Sequence, residues 1–317
     1  MRFNMQHKNL YLLLILIGIS FSNPLYTQTK IAITIDDVPN TRVFKANNYN
    51  SILLNKLDSL SIPICIFVNE GLIYKQDSIF KNKELLNEWA KRDYITLGNH
   101  TFGHSKYSEV GFEEFKKDLI KGEPLLNSMA EKYDKKIQYF RFPYNDLGQD
   151  SLAQFKINNL LKTRNYISTP FTIESADWVY NYIYRYYLAN SEWEKAEEIG
   201  QLYVEASLDF FHFFDSLSME KYGRKINQIF LCHDSHLNEA YLVEIIAHLK
   251  SKKYNFVSLE EALLDPVYAQ KSNYHKAKGI SWMYRWMKTE EERKKWMKKE
   301  PDISEIEILF KELSDNR

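Results

Sequence analysis

Short apolar strands alternate with helical segments along most of the chain, and polar residues cluster where the strands end. The β-branched run Lys30–Ile35 ends at Asp36-Asp37, and Tyr94–Leu97 leads directly into a pair of histidines. Such alternation is typical of parallel sheets whose functional residues lie at the carboxyl ends of the strands. The sequence therefore predicts an α/β fold, a parallel barrel with its site at that edge.

The remaining elements follow from apolar periodicity and from turn-forming residues. Further predicted strands are Ile62–Val68, Ile137–Phe142, Tyr166–Ile173, Lys225–Cys232 and Tyr254–Ser258. Predicted helices are Asn50–Leu60, Lys83–Arg92, Gly111–Tyr133 with a break near Gly122, Ser151–Arg164, Glu239–Lys250 and Leu259–Leu264.

Two segments depart from the alternation and set the predicted domain boundaries. Residues 180–223 form a long, aromatic helical insert within an α/β domain that spans residues 29–265. Residues 266–317 form a helical C-terminal extension with a basic stretch from Arg293 to Lys299. We interpret the extension as amphipathic helix packed on the barrel, with its basic face in solvent.

The first 28 residues read as a signal peptide. Arg2, His7 and Lys8 precede the apolar run Leu10–Ile19, which is short for a bilayer span. The alternative is an uncleaved N-terminal anchor. Both readings place the rest of the chain in the periplasm, the cell envelope or the extracellular space.

Charge and cysteine content narrow the choice of partners. The chain has 317 residues with 42 Lys+Arg and 42 Asp+Glu, so no net charge indicates nucleic acid or an anionic surface. Membrane contact is expected only through the alternative anchor, and the oligomeric state stays open. Cys65 and Cys232 lie in apolar runs as buried strand residues, with one disulfide as the alternative.

Three polar residues have the chemistry of a catalytic metal site. His100 and His104 are four residues apart and can face one point, and an aspartate from Asp36-Asp37 would complete the set. In an extended chain the two aspartates point in different directions, so one can bind a cation while the other handles a proton. The alternatives are an Asp-Asp turn and histidines that are simply hydrogen-bonded.

Further candidates lie at other predicted strand ends. Arg141 could hold a carboxylate in its ionised form, or it could form a surface salt bridge of little energetic weight. His233, oriented by a carboxylate such as Asp177, is a candidate general acid. We interpret His236, three residues later, as mainly structural.

In this order the candidates resemble the polysaccharide deacetylase family, the NodB-homology domain of carbohydrate esterase family 4. The resemblance covers about residues 30–265 and rests on five motifs. They are Thr34-Ile35-Asp36-Asp37, His100-Thr101-Phe102-Gly103-His104, Arg141-Phe142-Pro143-Tyr144, Asp177-Trp178 and Leu231-Cys232-His233. It implies a distorted (β/α) barrel of the NodB-homology type.

The resemblance also implies a metal and a base. Asp37, His100 and His104 would hold one divalent ion, with Zn²⁺ preferred and Co²⁺ or a similar ion as the alternative. Asp36 would be the general base, kept ionised by Arg141.

The other family roles concern the substrate. His233 would protonate the leaving amine, tuned by Asp177, and the backbone N–H of Tyr144 would stabilise the oxyanion. Leu231 and Trp178 would line the pocket for the acetyl methyl group.

The implied activity is metal-dependent removal of N-acetyl groups from an N-acetylglucosamine-containing glycan, with release of acetate. Alternatives are an O-acetyl esterase acting on acetylated xylan and a catalytically silent carbohydrate-binding module on the same scaffold. Ile35, Asn145 and Glu174 depart from the family motifs without removing a metal ligand or the acid–base pair. The insert is longer than is usual in the family and leaves the choice of glycan open.

Overall fold

The structure is a computed structural model that describes residues 28–75 and 77–315. Residues 1–27, which hold nearly all of the predicted signal peptide and the alternative anchor, lie outside the described residues. Within the described ranges, no helix is both long enough and apolar enough to cross a membrane.

Eight strands among the described residues form one sheet in which every pairing is parallel. Their bounds are β1 Lys30–Val38, β2 Ile64–Val68, β3 Ile95–Asn99, β4 Tyr139–Phe140, β5 Ile167–Ser168, β6 Ile173–Glu174, β7 Gln228–His233 and β8 Asn255–Phe256. The order is β5-β4-β3-β2-β1-β7-β6, and β8 also pairs with β1. This open path is a parallel half-barrel and confirms the predicted fold class.

Helices cover the sheet and form the insert and the extension. Their bounds are α1 Thr41–Ala46, α2 Ile52–Asp58, α3 Ile79–Ala90, α4 Tyr107–Lys121, α5 Pro124–Lys132, α6 Ser151–Thr163, α7 Asp177–Ala189, α8 Trp193–Tyr222, α9 His236–Ser251, α10 Leu259–Leu263, α11 Trp282–Arg285, α12 Glu290–Met297 and α13 Ser304–Asp315.

Most sequence predictions agree with these elements, and three differ. The strand predicted over Tyr166–Ile173 is two short strands, β5 and β6, because Pro170 between them has no N–H for a sheet hydrogen bond. The strand predicted over Ile137–Phe142 pairs only as β4. Helix α1 was not predicted; the Asn40 side chain caps it by accepting from the Val43 N–H at 3.1 Å.

The insert and the extension pack on the same side of the sheet end. In the insert, α7 and α8 lie against each other, with the rings of Tyr180 and Tyr203 5.7 Å apart. The extension is fastened beside β6, where the Trp282 N–H donates to the Phe171 carbonyl at 2.9 Å and the Ser281 hydroxyl to the Thr172 carbonyl at 2.6 Å. These contacts hold the extension against the segment that precedes β6.

The cysteines lie on the two strands that flank β1. Cys65 in β2 and Cys232 in β7 are both buried and free. They face β1 at Thr34 and Ile35 respectively. The reading as buried strand cysteines is therefore confirmed, and the alternative disulfide is absent from this structure.

Candidate functional site

The carboxyl ends of β1, β3 and β7 open into a cavity of about 650 Å³. Nine predicted site residues line it: Asp36, Asp37, His100, His104, Tyr144, Asp177, Trp178, Leu231 and His233. The tenth, Arg141, is buried and contacts Asp36. The fold therefore brings all ten residues into one region.

Both aspartates of β1 approach His100 because the strand is irregular at this point. The register between β1 and β2 shifts between Ile35 and Val38, and Asp37 has a left-handed backbone with φ of 59°. As a result, Nε2 of His100 lies 4.0 Å from Oδ2 of Asp36 and 3.9 Å from Oδ1 of Asp37. The diverging directions expected for an extended chain do not apply here. The surroundings still differ, because the Asp36 side chain is 3% exposed and that of Asp37 is 32% exposed.

The loop after β3 carries the two histidines in a fixed conformation. Nδ1 of His100 lies 2.7 Å from the Arg141 carbonyl, and it donates because a carbonyl can only accept. The lone pair on Nε2 therefore faces the aspartates. His104 has a φ of 59°, and its N–H donates to the Thr101 hydroxyl at 3.1 Å. Nε2 of His104 then lies 3.5 Å from Oδ1 of Asp37.

Asp37, His100 and His104 form a set that could hold a metal ion. One ligand atom from each residue lies within 4.8 Å of the other two. Burial raises the pKa of Asp37, but the His104 and His100 imidazoles lower it by more, so it lies below its ordinary value. Burial lowers the pKa of His104 to about 4. An ionised carboxylate and neutral imidazoles are the forms that bind divalent transition metals, so this donor set fits the predicted ion.

Arg141 lies against the more buried aspartate. Its guanidinium donates to Oδ1 of Asp36 at 3.5 Å, to the Thr34 hydroxyl at 3.2 Å and to the Pro170 carbonyl at 3.1 Å. It also stacks 4.6 Å above the Phe67 ring. The alternative of a surface salt bridge is wrong, because both partners are buried.

His233 and Asp177 form a hydrogen-bonded pair across the cavity from the histidine loop. Nδ1 of His233 donates to Oδ1 of Asp177 at 2.7 Å, and the His233 backbone N–H donates to Oδ2 at 2.7 Å. Burial alone would lower the pKa of His233, but the charge and hydrogen bond of Asp177 raise it to about 10. The imidazole is therefore protonated at neutral pH and has a proton to donate.

Three lining residues bound the space between the histidine loop and the His233 pair. The Tyr144 ring lies edge-on to the His104 ring at 4.6 Å, and Tyr144 has a φ of 58°. Leu231 is buried, whereas Trp178 is about half exposed and contacts the Phe310 ring of α13 at 5.4 Å. These positions leave an apolar wall beside the candidate metal set.

A family model described as polysaccharide deacetylase matches residues 26–174. That segment contains the metal set, Asp36, Arg141 and Tyr144. Nearly half of the chain therefore matches the polysaccharide deacetylase family. The match implies a glycan as the class of substrate. The matched segment stops before Asp177 and His233, whose roles stay predictions.

One curated relative in this deacetylase family is a peptidoglycan-N-acetylglucosamine deacetylase of Bacillus cereus. It is 25% identical over 159 residues, which is 50% of this chain and 50% of the relative. The chain therefore spans about half the length of the curated relative it matches.

Two solved structures have a similar fold. One is a peptidoglycan N-acetylglucosamine deacetylase, with TM-score 0.51, 17% identity and coverage of 75% of this chain and 89% of that chain. The other is a carbohydrate esterase family 4 pseudoenzyme from Bacillus anthracis, with TM-score 0.50, 14% identity and coverage of 75% and 66%. At these identities the likeness concerns the fold alone, so the argument for activity depends on the side chains.

Two supporting residues of the site were missed by sequence reasoning. The Asn238 amide donates to Oδ2 of Asp177 at 2.7 Å and to the His233 carbonyl at 2.9 Å. Oδ1 of Asp118 in α4 accepts from the Gly103 N–H at 2.6 Å, which ties down the histidine loop. Neither residue belongs to a motif, and the only signal for Asn238 is its place in the first turn of a helix capped by Ser235.

Proposed function

We propose that this chain is a metal-dependent hydrolase that removes N-acetyl groups from an N-acetylglucosamine-containing glycan and releases acetate. The observation that carries the proposal is a buried carboxylate, Asp36, and a protonated imidazole, His233, beside the Asp37–His100–His104 set in one cavity. The name of the Bacillus cereus relative supports an N-acetylglucosamine polymer as the substrate class.

The hydrolysis adds water across the amide bond. A divalent ion held by Asp37, His100 and His104 would polarise the acetyl carbonyl and acidify a water molecule. Asp36 accepts the proton of the attacking water, and the Arg141 guanidinium, which donates to Oδ1 of Asp36 at 3.5 Å, holds this carboxylate in place.

The amide nitrogen needs a proton to leave as an amine. His233 donates it, and Asp177 then stabilises the imidazole in the orientation that its Nδ1 hydrogen bond defines. Tyr144 contributes its backbone N–H to the oxyanion, and Leu231 with Trp178 encloses the methyl group. The products are acetate and a free amine on the sugar.

The test is acetate release from chitin oligomers, peptidoglycan, poly-N-acetylglucosamine and acetylated xylan, with and without a chelator. We expect acetate and an equal amount of free amine from N-acetylated polymers, loss of activity with chelator, and recovery with Zn²⁺ or Co²⁺. His233→Asn should lose most of this activity. His248→Asn, an exposed histidine on α9, is the matched control.

Two results would replace the proposal. Acetate from xylan alone would assign an O-acetyl esterase. No acetate from any polymer by metal-loaded protein would favour a catalytically silent carbohydrate-binding module.

We also propose that the protein acts outside the cytosol. The basic and apolar segments before residue 28 support this location. Cell fractionation, with the mass of the mature N-terminus, tests it. Full-length protein in the cytosolic fraction would contradict export.

A further inference from the structure

Basic side chains from several separate elements line the cavity. Arg42 lies in α1, Arg185 in the insert helix α7, and His236 is the first residue of α9; all three line the cavity. The carboxylates that line the cavity instead follow the strand ends or lie within them, and they are Asp36, Asp37, Glu174, Asp177 and Asp234. Basic residues on helices and acidic residues near the strand ends therefore line the same cavity, although the whole chain has no net charge.

The three elements are held in place relative to one another by hydrogen bonds. Asn181 of α7 accepts from the Leu237 N–H in the first turn of α9 at 3.2 Å. Asn40, the cap of α1, donates its N–H to the Asp234 carboxylate at 2.7 Å and its amide to the Asp234 carbonyl at 2.6 Å. The basic residues are thus presented by a fixed frame.

Both arginines lie close enough to His236 to act on its imidazole. Burial lowers the pKa of His236, and the charges of Arg185 and Arg42 lower it further, so the imidazole is neutral near pH 7. Arg42 is exposed and forms no ion pair with another described residue, so its guanidinium is available.

We propose that Arg42, Arg185 and His236 form a subsite for a carboxylate carried by the glycan substrate. The planar guanidinium donates two parallel hydrogen bonds to a carboxylate, and a neutral imidazole supplies one further N–H. The subsite rests on the proposed function in taking the ligand to be a glycan. It narrows the substrate class from any N-acetylated glycan to an acidic one, with the carboxylate on a uronic acid or on a lactyl ether.

The test is equilibrium binding, measured by calorimetry in the Asp36→Asn background so that the ligand survives. One ligand pair is an oligosaccharide of alternating N-acetylglucosamine and glucuronic acid, and the same chain with its carboxyl groups reduced to hydroxymethyl. The second pair is an oligomer of N-acetylglucosamine and N-acetylmuramic acid, and a chitin oligomer of equal length. Comparison of the two pairs distinguishes the uronic from the lactyl carboxylate.

We expect at least one acidic oligomer to bind more tightly than its neutral counterpart, by about fivefold for each arginine, the upper range for exposed ion pairs. The ratio should fall about fivefold in Arg42→Gln or Arg185→Gln and approach unity in the double variant or at high salt. Lys252→Gln removes an equal charge at the far end of α9 and is the matched control. Equal binding of acidic and neutral oligomers, or a preference that survives the double variant, would overturn the subsite.

Acetate release from neutral chitin oligomers separates this result from the proposed function. A charge-dependent binding preference without acetate release would contradict the proposed deacetylation and support the carboxylate subsite. Acetate release without the binding preference would support the deacetylation and contradict the subsite.

Discussion

At the scale of single residues, the site contains two histidines, His233 and His104, whose pKa values are shifted in opposite directions. Asp177 raises the pKa of His233 to about 10, whereas burial lowers the pKa of His104 to about 4. Two histidines in one cavity are therefore prepared for different tasks, one carrying a proton and one with a free lone pair. Their surroundings rather than their residue type produce this difference.

The pH dependence of Asp177→Asn tests the acid role. The wild-type pKa of His233 is raised, so the protonated acid persists from low pH until the pH rises through about 10. Without the Asp177 carboxylate, burial still lowers the pKa of His233 and the strongest opposing contribution is lost, so the alkaline limb of kcat/KM should move down by about two units or more.

Acetate release is measured across a pH series, with the metal content determined at each pH. These data give the acidic and the alkaline limb of the kcat/KM profile. The exposed Asp209 of α8, changed to Asn, is the control. An unchanged alkaline limb in Asp177→Asn would exclude His233 as the acid.

The identity of these residues was predictable, but their geometry was not. Motif spacing indicates Asp36, Asp37 and His100 because each follows a strand. The left-handed backbone of Asp37 depends on the bulge in β1, which only the neighbouring strand defines. Asn238 contacts Asp177 from 61 positions away, and no local pattern encodes such a contact.

At the scale of elements, the C-terminal extension forms part of the cavity. Gly279 lines it, and a Cβ at this position would lie 2.4 Å from the Tyr144 carbonyl oxygen and 2.8 Å from the Asn145 Cβ. The absence of a side chain at residue 279 lets the extension close against the loop that carries Tyr144.

Gly279→Ala should therefore displace the Tyr144 loop. We expect kcat to fall about tenfold, because misplaced groups lose transition-state contacts, and metal content to stay at the wild-type level. Kinetics and metal analysis of the variant measure both effects, with Lys278→Ala, an exposed neighbour, as the control. Wild-type kcat in the glycine variant would show that the extension does not position Tyr144.

Sequence patterns predicted the long central elements better than the edges. Strands β1, β2 and β7 are buried, mainly apolar runs that are plain in the sequence. Strands β4, β5 and β6 have two residues each, and their pairing depends on neighbouring elements rather than on their own residues.

At the scale of the whole molecule, Asp265 connects the sheet to the extension. Its carboxylate accepts from Arg224 at 2.8 Å, from the Asn227 N–H at 2.9 Å and from the Val267 N–H at 2.9 Å. Burial raises the pKa of Asp265, but these donors lower it by more, so it lies below its ordinary value. A lowered carboxyl pKa stabilises the fold above the ordinary value, and this stabilisation is lost as the pH falls through the folded value.

Asp265→Asn should lower the free energy of unfolding by about 1–2 kcal/mol at pH 7, since Arg224 is partly exposed. The difference from wild type should narrow as the pH falls below about 4, where the wild-type carboxyl group gains its proton. Urea unfolding at several pH values measures it, with Asp209→Asn as the control. A difference that is constant with pH would contradict the ionic contribution.

The central claim is that Asp37, His100 and His104 hold a catalytic metal while Asp36 acts as the base. Metal content and acetate release in wild type, His100→Ala and Asp36→Asn test it most directly. We predict about one equivalent of a divalent transition metal in wild type, loss of that metal in His100→Ala, and retention in Asp36→Asn with turnover reduced at least about 100-fold. Full metal content in His100→Ala, or full turnover in Asp36→Asn, would contradict the account.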